Sequence, residues 1–123
     1  MDLTKDFTAE EFASKDGAVT PPEILFNLQI LANNLQVLRG FIRDPIHINS
    51  GYRSAAHNTK IGGKPKSQHL LGKAADITMK NYTPIEVAGI IKVLIKRGEM
   101  LMGGLKAYPG FTHYDIRGKE AVW

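Results

Sequence analysis

From Ile24 the chain carries an apolar stripe, Ile24, Leu28, Leu31, Leu35 and Leu38, at alternating spacings of four and three. That is the repeat of one helix face, and five aliphatic side chains on it belong in a core. The stripe is announced by Thr20-Pro21-Pro22-Glu23 and is expected to stop at Gly40. In a Thr-x-x-Glu start, hydroxyl and carboxylate reciprocally satisfy orphan backbone donors, and proline at the first helical position gives up an N–H that has no helical partner. Two further starts share the signature. Thr8 to Glu11 opens a short helix through Phe12, and Thr83-Pro84-Ile85-Glu86 opens one carrying Val87, Ile91 and Leu94 that ends near Gly98.

The other ordered segments read as short strands: Pro45 to Asn49, Ala75 to Met79, Met100 to Leu105 and Thr112 to Ile116. Between the first two lies a polar stretch from Ser50 to Lys73, rich in Gly, Ser, Lys and Asn. A connection of that length inside a compact unit is usually functional or disordered. Helices first and short strands after, without regular alternation, predict an α+β fold with a small, mainly antiparallel sheet and flanking helices. With 123 residues, the expectation is a single domain over 1–123. No repeat, low-complexity segment or linker interrupts it.

Composition narrows the chemistry. The chain has no cysteine, so a thiolate metal site and a disulfide framework are both excluded. Any metal must be held by His, Asp or Glu, and there are only four histidines. The formal net charge of +4 suits an anionic partner. Lys60, Lys64, Lys66 and Lys73 form the only loose basic concentration, and a solvated loop explains them better than a nucleic-acid patch. No apolar run approaches the roughly 18 residues that span a bilayer, and Met1 to Phe12 lacks the hydrophobic segment of a signal peptide. The expected partner list therefore holds neither nucleic acid nor a membrane, and the chain is expected to be monomeric.

Ser67-Gln68-His69-Leu70-Leu71-Gly72-Lys73-Ala74-Ala75-Asp76 sets a histidine at the end of the polar stretch and an aspartate at the start of a strand. Gly72, Ala74 and Ala75 between them let the backbone fold tightly enough for both side chains to converge. Thr112-His113-Tyr114-Asp115 places His113 and Asp115 on one strand face, because side chains two apart point the same way. Two imidazoles and one carboxylate make a three-ligand set of the kind a catalytic zinc uses while keeping a fourth position open. His47 and His57 receive no role.

Taken together, Ser50-Gly51-Tyr52-Arg53-Ser54, Asn58, Gly62-Gly63, Ser67-x-His69-x-x-Gly72-x-Ala74-x-Asp76 and Phe111-x-His113-x-Asp115-x-Arg117-Gly118 closely resemble the M15 peptidase family, in particular its compact phage and bacterial branch. The resemblance begins at Phe7-Thr8-Ala9-Glu10-Glu11-Phe12 and runs to the end of the chain. It implies the α+β fold shared by D-Ala-D-Ala carboxypeptidase-like enzymes and Hedgehog domains. It also implies a zinc metallopeptidase, a hydrolase of peptidoglycan stem peptides or crosslinks. His69, Asp76 and His113 match the family's zinc ligands, Arg53 the arginine that faces a substrate carboxylate, and Ser67 a residue lining the cleft. Several relatives place a general base shortly before the last ligand, where this chain reads Ala107-Tyr108-Pro109-Gly110-Phe111-Thr112. Asp115 is the nearest acidic candidate, either as base or as the partner that orients an imidazole.

Two His and one carboxylate also describe non-haem iron oxygenases. Those present His-x-Asp before the final His, whereas here the lone His69 comes first. The remaining rival is a catalytically inactive, zinc-containing cell-wall-binding module of the same fold. For an enzyme, Arg53 predicts a substrate carboxylate near the scissile bond. A terminal D-Ala carboxylate would make it a D,D-carboxypeptidase, and a side-branch carboxylate would make it an endopeptidase of the endolysin kind, the slightly favoured outcome. The expected location is the cytoplasm until lysis, or a phage particle, with the cell wall as target.

Overall fold

The apolar stripe folds as helix α1 (Pro22–Ile42), and its Leu28, Leu31, Leu35 and Leu38 are fully buried. The computed structural model describes residues 1–121; Val122 and Trp123 lie outside the described residues. Besides α1, two helices follow in chain order, α2 (Ala55–Lys60) and α3 (Pro84–Lys96). Four strands, β1 (His47–Ser50), β2 (Ala74–Thr78), β3 (Leu105–Ala107) and β4 (Thr112–Asp115), form one sheet in the order β1-β2-β4-β3, with every neighbouring pair antiparallel. Two 3-10 turns complete the set, at Ala9–Phe12 and Gln68–Leu71. The architecture is α+β with a small antiparallel sheet.

The pleat divides the sheet into two faces. Ala75 and Ile77 of β2 and Tyr114 of β4 join Phe7, Phe12, Ile48, the α1 leucines and Val87, Ile91 and Leu94 of α3 in one core. Each core Val, Leu or Ile removed from water contributes about 1.5–3 kcal/mol. Asp76 and His113, alternating with those core residues, face the other side. The polar stretch from Ser50 covers that side, and it carries α2 and the second 3-10 turn rather than being structureless. Among the described residues no helix is long and apolar enough to cross a membrane.

Three local expectations are corrected. Thr8 and Thr83 do form capping boxes with Glu11 and Glu86, but Thr20 does not: α1 starts after Pro21, with no side-chain cap. Pro21 rather than Thr20 occupies the N-cap, and proline has no side-chain acceptor to offer the first-turn amides. Nor does Gly40 end α1, which runs on to Ile42 and closes with Arg43 in the left-handed region (φ 60°). The third strand is not Met100 to Leu105 but Leu105–Ala107. Upstream, the Glu99 and Met100 amides donate back to Leu94 O, and Gly104 N donates to the Asp115 carboxylate, so these groups are withdrawn from a ladder.

Gly51 and Gly40 differ in what a side chain would meet. A Cβ on Gly51 would lie 2.8 Å from Phe12 Cα and from Phe12 O, which are backbone and cannot swing away, whereas a Cβ on Gly40 meets nothing within 4 Å. Gly51→Ala is expected to cost about 1–3 kcal/mol by overpacking. Gly40→Ala, on an exposed helix position, is expected to gain about 0.5–1 kcal/mol. Urea unfolding of both variants checks the pair, and a neutral Gly51→Ala would contradict the packing described.

Candidate metal centre

Asp76 and His113 are directly opposed in the β2–β4 register. Cross-strand partners put their Cβ atoms about 4.5–5.5 Å apart on one face, and here the His113 Nδ1 lies 3.0 Å from Asp76 Oδ1. His69 reaches the same oxygen from the 3-10 turn, with Nε2 at 3.3 Å. Its turn begins at Ser67, whose Oγ accepts from His69 N (3.2 Å), and ends at Gly72 in the left-handed region (φ 69°). Gly72 is also where a Cβ would collide with Ile24, 2.7 Å from its Cγ2. A residue without a side chain is therefore required for the chain to reverse into β2.

The far side of each ring determines which nitrogen is offered. His69 Nδ1 donates to the Gly51 carbonyl at 2.7 Å, and a carbonyl can only accept, so a neutral ring keeps Nε2 bare. His113 Nε2 donates to Asp115 Oδ2 at 2.8 Å, which leaves Nδ1 bare by the same argument. Both lone pairs then aim at Asp76. The ligand atoms of the three residues lie within 4.8 Å of one another. A tetrahedral zinc with ligands at about 2.0–2.2 Å separates neighbouring ligand atoms by roughly 3.3 Å, close to the two His–Asp distances. This donor set therefore fits a metal ion, and zinc in particular.

Electrostatics agree with the geometry. Burial works against the charge of Asp76, but the adjoining His113 and His69 rings, which donate to it whenever they are protonated, outweigh burial and hold its carboxyl below the ordinary carboxylate range. Burial likewise opposes a charge on His113, yet Asp115 and Asp76 raise its pKa above the usual imidazole value.

The centre floors a cleft of about 460 Å³. Arg53, Ser67, Lys64 and Lys66 line it, as do Gln68, Tyr108, Phe111 and Arg117; Lys60 and Lys73 are not among its lining residues. Arg53 is held by three side chains: Nε donates to Ser50 Oγ (3.3 Å), Nη1 to Asn58 Oδ1 (3.4 Å) and Nη2 to Asp76 Oδ2 (3.4 Å). It faces the cleft, and it also steadies the Asp76 oxygen that the imidazoles do not use. Asp115 is fully buried beneath His113 and is not a cleft-lining residue. Its Oδ1 accepts from Gly104 N (2.8 Å), Arg117 N (3.2 Å) and Arg117 Nε (2.8 Å), and its Oδ2 from Arg117 Nη2 (2.6 Å). Tyr108 and Phe111 stack at 4.7 Å across the β3–β4 turn and form an apolar wall. His47 and His57 do not join the centre. The Gly51 carbonyl and the Gly104 amide leave no signature in the sequence beyond the glycines themselves, while Arg117 is visible only as the end of His-x-Asp-x-Arg.

Comparison with known proteins gives two findings. A family model described as Peptidase M15 matches residues 2–115. The zinc D-Ala-D-Ala carboxypeptidase of Streptomyces albus G is 36% identical over 62 residues, which are 50% of this chain and 24% of that enzyme. The chain thus spans about a quarter of that relative's length.

Zinc and a proton compete for His113 Nδ1, so zinc affinity should fall with decreasing pH. The decline should begin above the ordinary histidine value of about 6.5, because the His113 pKa is raised. Calorimetric titration with zinc in a series of buffers checks the sign, and an affinity that does not weaken on acidification would contradict the proton competition. His69→Ala and His113→Ala should each lose most of one zinc equivalent by elemental analysis.

Proposed function

The chain belongs to the peptidase M15 family, and on that premise we propose that it is a zinc-dependent peptidase acting on peptidoglycan stem peptides or crosslinks. The observation that carries this is the convergence of two bare imidazole nitrogens on one carboxylate oxygen at the floor of an open, basic cleft. His69, Asp76 and His113 would hold the ion. When bound there, zinc supplies Lewis acidity, drawing charge from a scissile carbonyl and acidifying water. Arg53 offers a guanidinium at the cleft wall to a substrate carboxylate, and Ser67 and Lys66 border the same space. Tyr108 and Phe111 form the wall against which small apolar groups of the peptide pack.

In this proposal Asp115 orients His113 and is not the general base. A proton-shuttling carboxylate must touch the reacting water, but Asp115 is fully buried and accepts five hydrogen bonds. Asp115→Asn is expected to weaken zinc binding and activity together. Normal zinc content with turnover lowered by ~10²-fold or more would instead return Asp115 to the role of base.

A second reading draws on one specific observation. Asp76 is the only carboxylate among the described residues lining the cleft, and in this proposal it is assigned to the metal. That observation is what supports the alternative reading, a catalytically inactive, zinc-containing wall-binding module. Mass spectrometry of muropeptides digested with zinc-loaded protein separates the two. Loss of single D-Ala residues means a D,D-carboxypeptidase, and shortened stems or opened crosslinks mean an endopeptidase. Retention of muropeptides without turnover would replace the peptidase by the binding module.

A further inference from the structure

Arg117 leaves the end of β4 from a backbone fixed on both sides. Ile116 N donates to Lys73 O and Gly118 N to Met102 O, each at 3.0 Å. Its guanidinium turns back onto Asp115 as a two-point fork, Nε to Oδ1 at 2.8 Å and Nη2 to Oδ2 at 2.6 Å. Exposed ion pairs contribute little, but here the acid is fully buried and the Arg117 side chain is 27% exposed. A planar fork also fixes the plane of the carboxylate, which a point charge does not.

The consequence reaches His113. Rotation about the bond to an imidazole ring is broad and two-fold. A half-turn of His113 would exchange each nitrogen for a carbon and remove Nδ1 from the ligand set. The bond from Nε2 to Asp115 Oδ2 opposes that turn. It does so only while Oδ2 stays aimed at the ring. Oδ1 accepts from two backbone amides, Gly104 N and Arg117 N, besides Arg117 Nε, whereas among the described residues Oδ2 accepts from His113 Nε2 and Arg117 Nη2. Gly103 and Gly104 press against Asp115 so closely that a Cβ on either would overlap it, which places the carboxylate but does not set the plane of its Oδ2.

We propose that Arg117 is a positioning residue for the metal centre: its fork fixes the Asp115 carboxylate so that His113 is locked with Nδ1 toward the ion. This rests on the assignment of His69, Asp76 and His113 as a zinc site. It gives a cleft-lining arginine a task on the metal, distinct from the Arg53 task on the substrate.

The test is a zinc dissociation constant for each variant, measured by chelator competition. It is paired with the proton signal of the His113 Nε2–H in the zinc-loaded protein, and circular dichroism confirms folding. Arg117→Ala and Arg117→Gln both remove the fork, and Gln keeps a hydrogen-bonding side chain if Ala does not fold. Each is expected to weaken zinc by roughly 10- to 100-fold, the range for loss of a partner behind a ligand, and to lose the His113 signal to solvent exchange. Arg117→Lys keeps the charge without the fork and should fall between these and the wild type. Unchanged zinc affinity in folded Arg117→Gln overturns the proposal, as does weakened affinity with the His113 signal intact. A wild-type protein that takes up no zinc would defeat the metal assignment itself, a different result from wild-type binding that is insensitive to Arg117.

Discussion

The pairing of Asp76 with His113 across β2 and β4 is the constraint on which the site depends. Side chains alternate between sheet faces, so a slip of one residue would send one of the two into the hydrophobic layer beneath. The core prevents that slip. Ala75, Ile77 and Tyr114 are fully buried on the opposite face, and their burial holds the register that places the acid and the imidazole side by side. Packing on one face of the sheet thereby sets chemistry on the other.

Around that pair the fold gathers charge that would be costly to bury alone. Asp76 receives two imidazoles and Arg53; Asp115 receives His113, Arg117 and two backbone amides. Among the described residues no buried side-chain nitrogen or oxygen is left without a partner. The amino-terminal segment contributes to this from a distance. Phe12 O accepts from Tyr52 N, and Ser14 Oγ from Ser54 N, so the first 3-10 turn backs the Gly51–Ser54 segment. That segment supplies both the carbonyl that orients His69 and the guanidinium of Arg53.

Much of this is legible in the sequence because it is written in side chains. The α1 leucines and the Thr83 box carry periodic or local signals, and His-x-Asp on a strand gives a shared face by alternation alone. The small residues between His69 and Asp76 mark a tight reversal, and Gly72 supplies it with a positive φ. What escapes is written in the backbone or in competition between signals. Thr20 has the capping pattern, but it lies one residue before the N-cap, which Pro21 occupies. The Met100 to Leu105 segment has the composition of a strand, yet Gly103 and Gly104 are drawn against Asp115, and the ladder begins only at Leu105. The polar stretch after Ser50 lacks an apolar repeat because its short helix and 3-10 turn are held by Ser54 and Ser67 caps rather than by a core-facing stripe.

The central claim is a metal centre that uses unlike nitrogens of its two histidines, Nε2 of His69 and Nδ1 of His113, with Asp76 as the third ligand. Anomalous diffraction at the zinc edge from crystals of the metal-loaded protein tests it most directly. The account predicts one ion per chain, about 2.0–2.2 Å from those three groups, with His113 Nε2 still bonded to Asp115. An ion bound elsewhere, or one that meets His113 through Nε2 with Asp115 displaced, would contradict it.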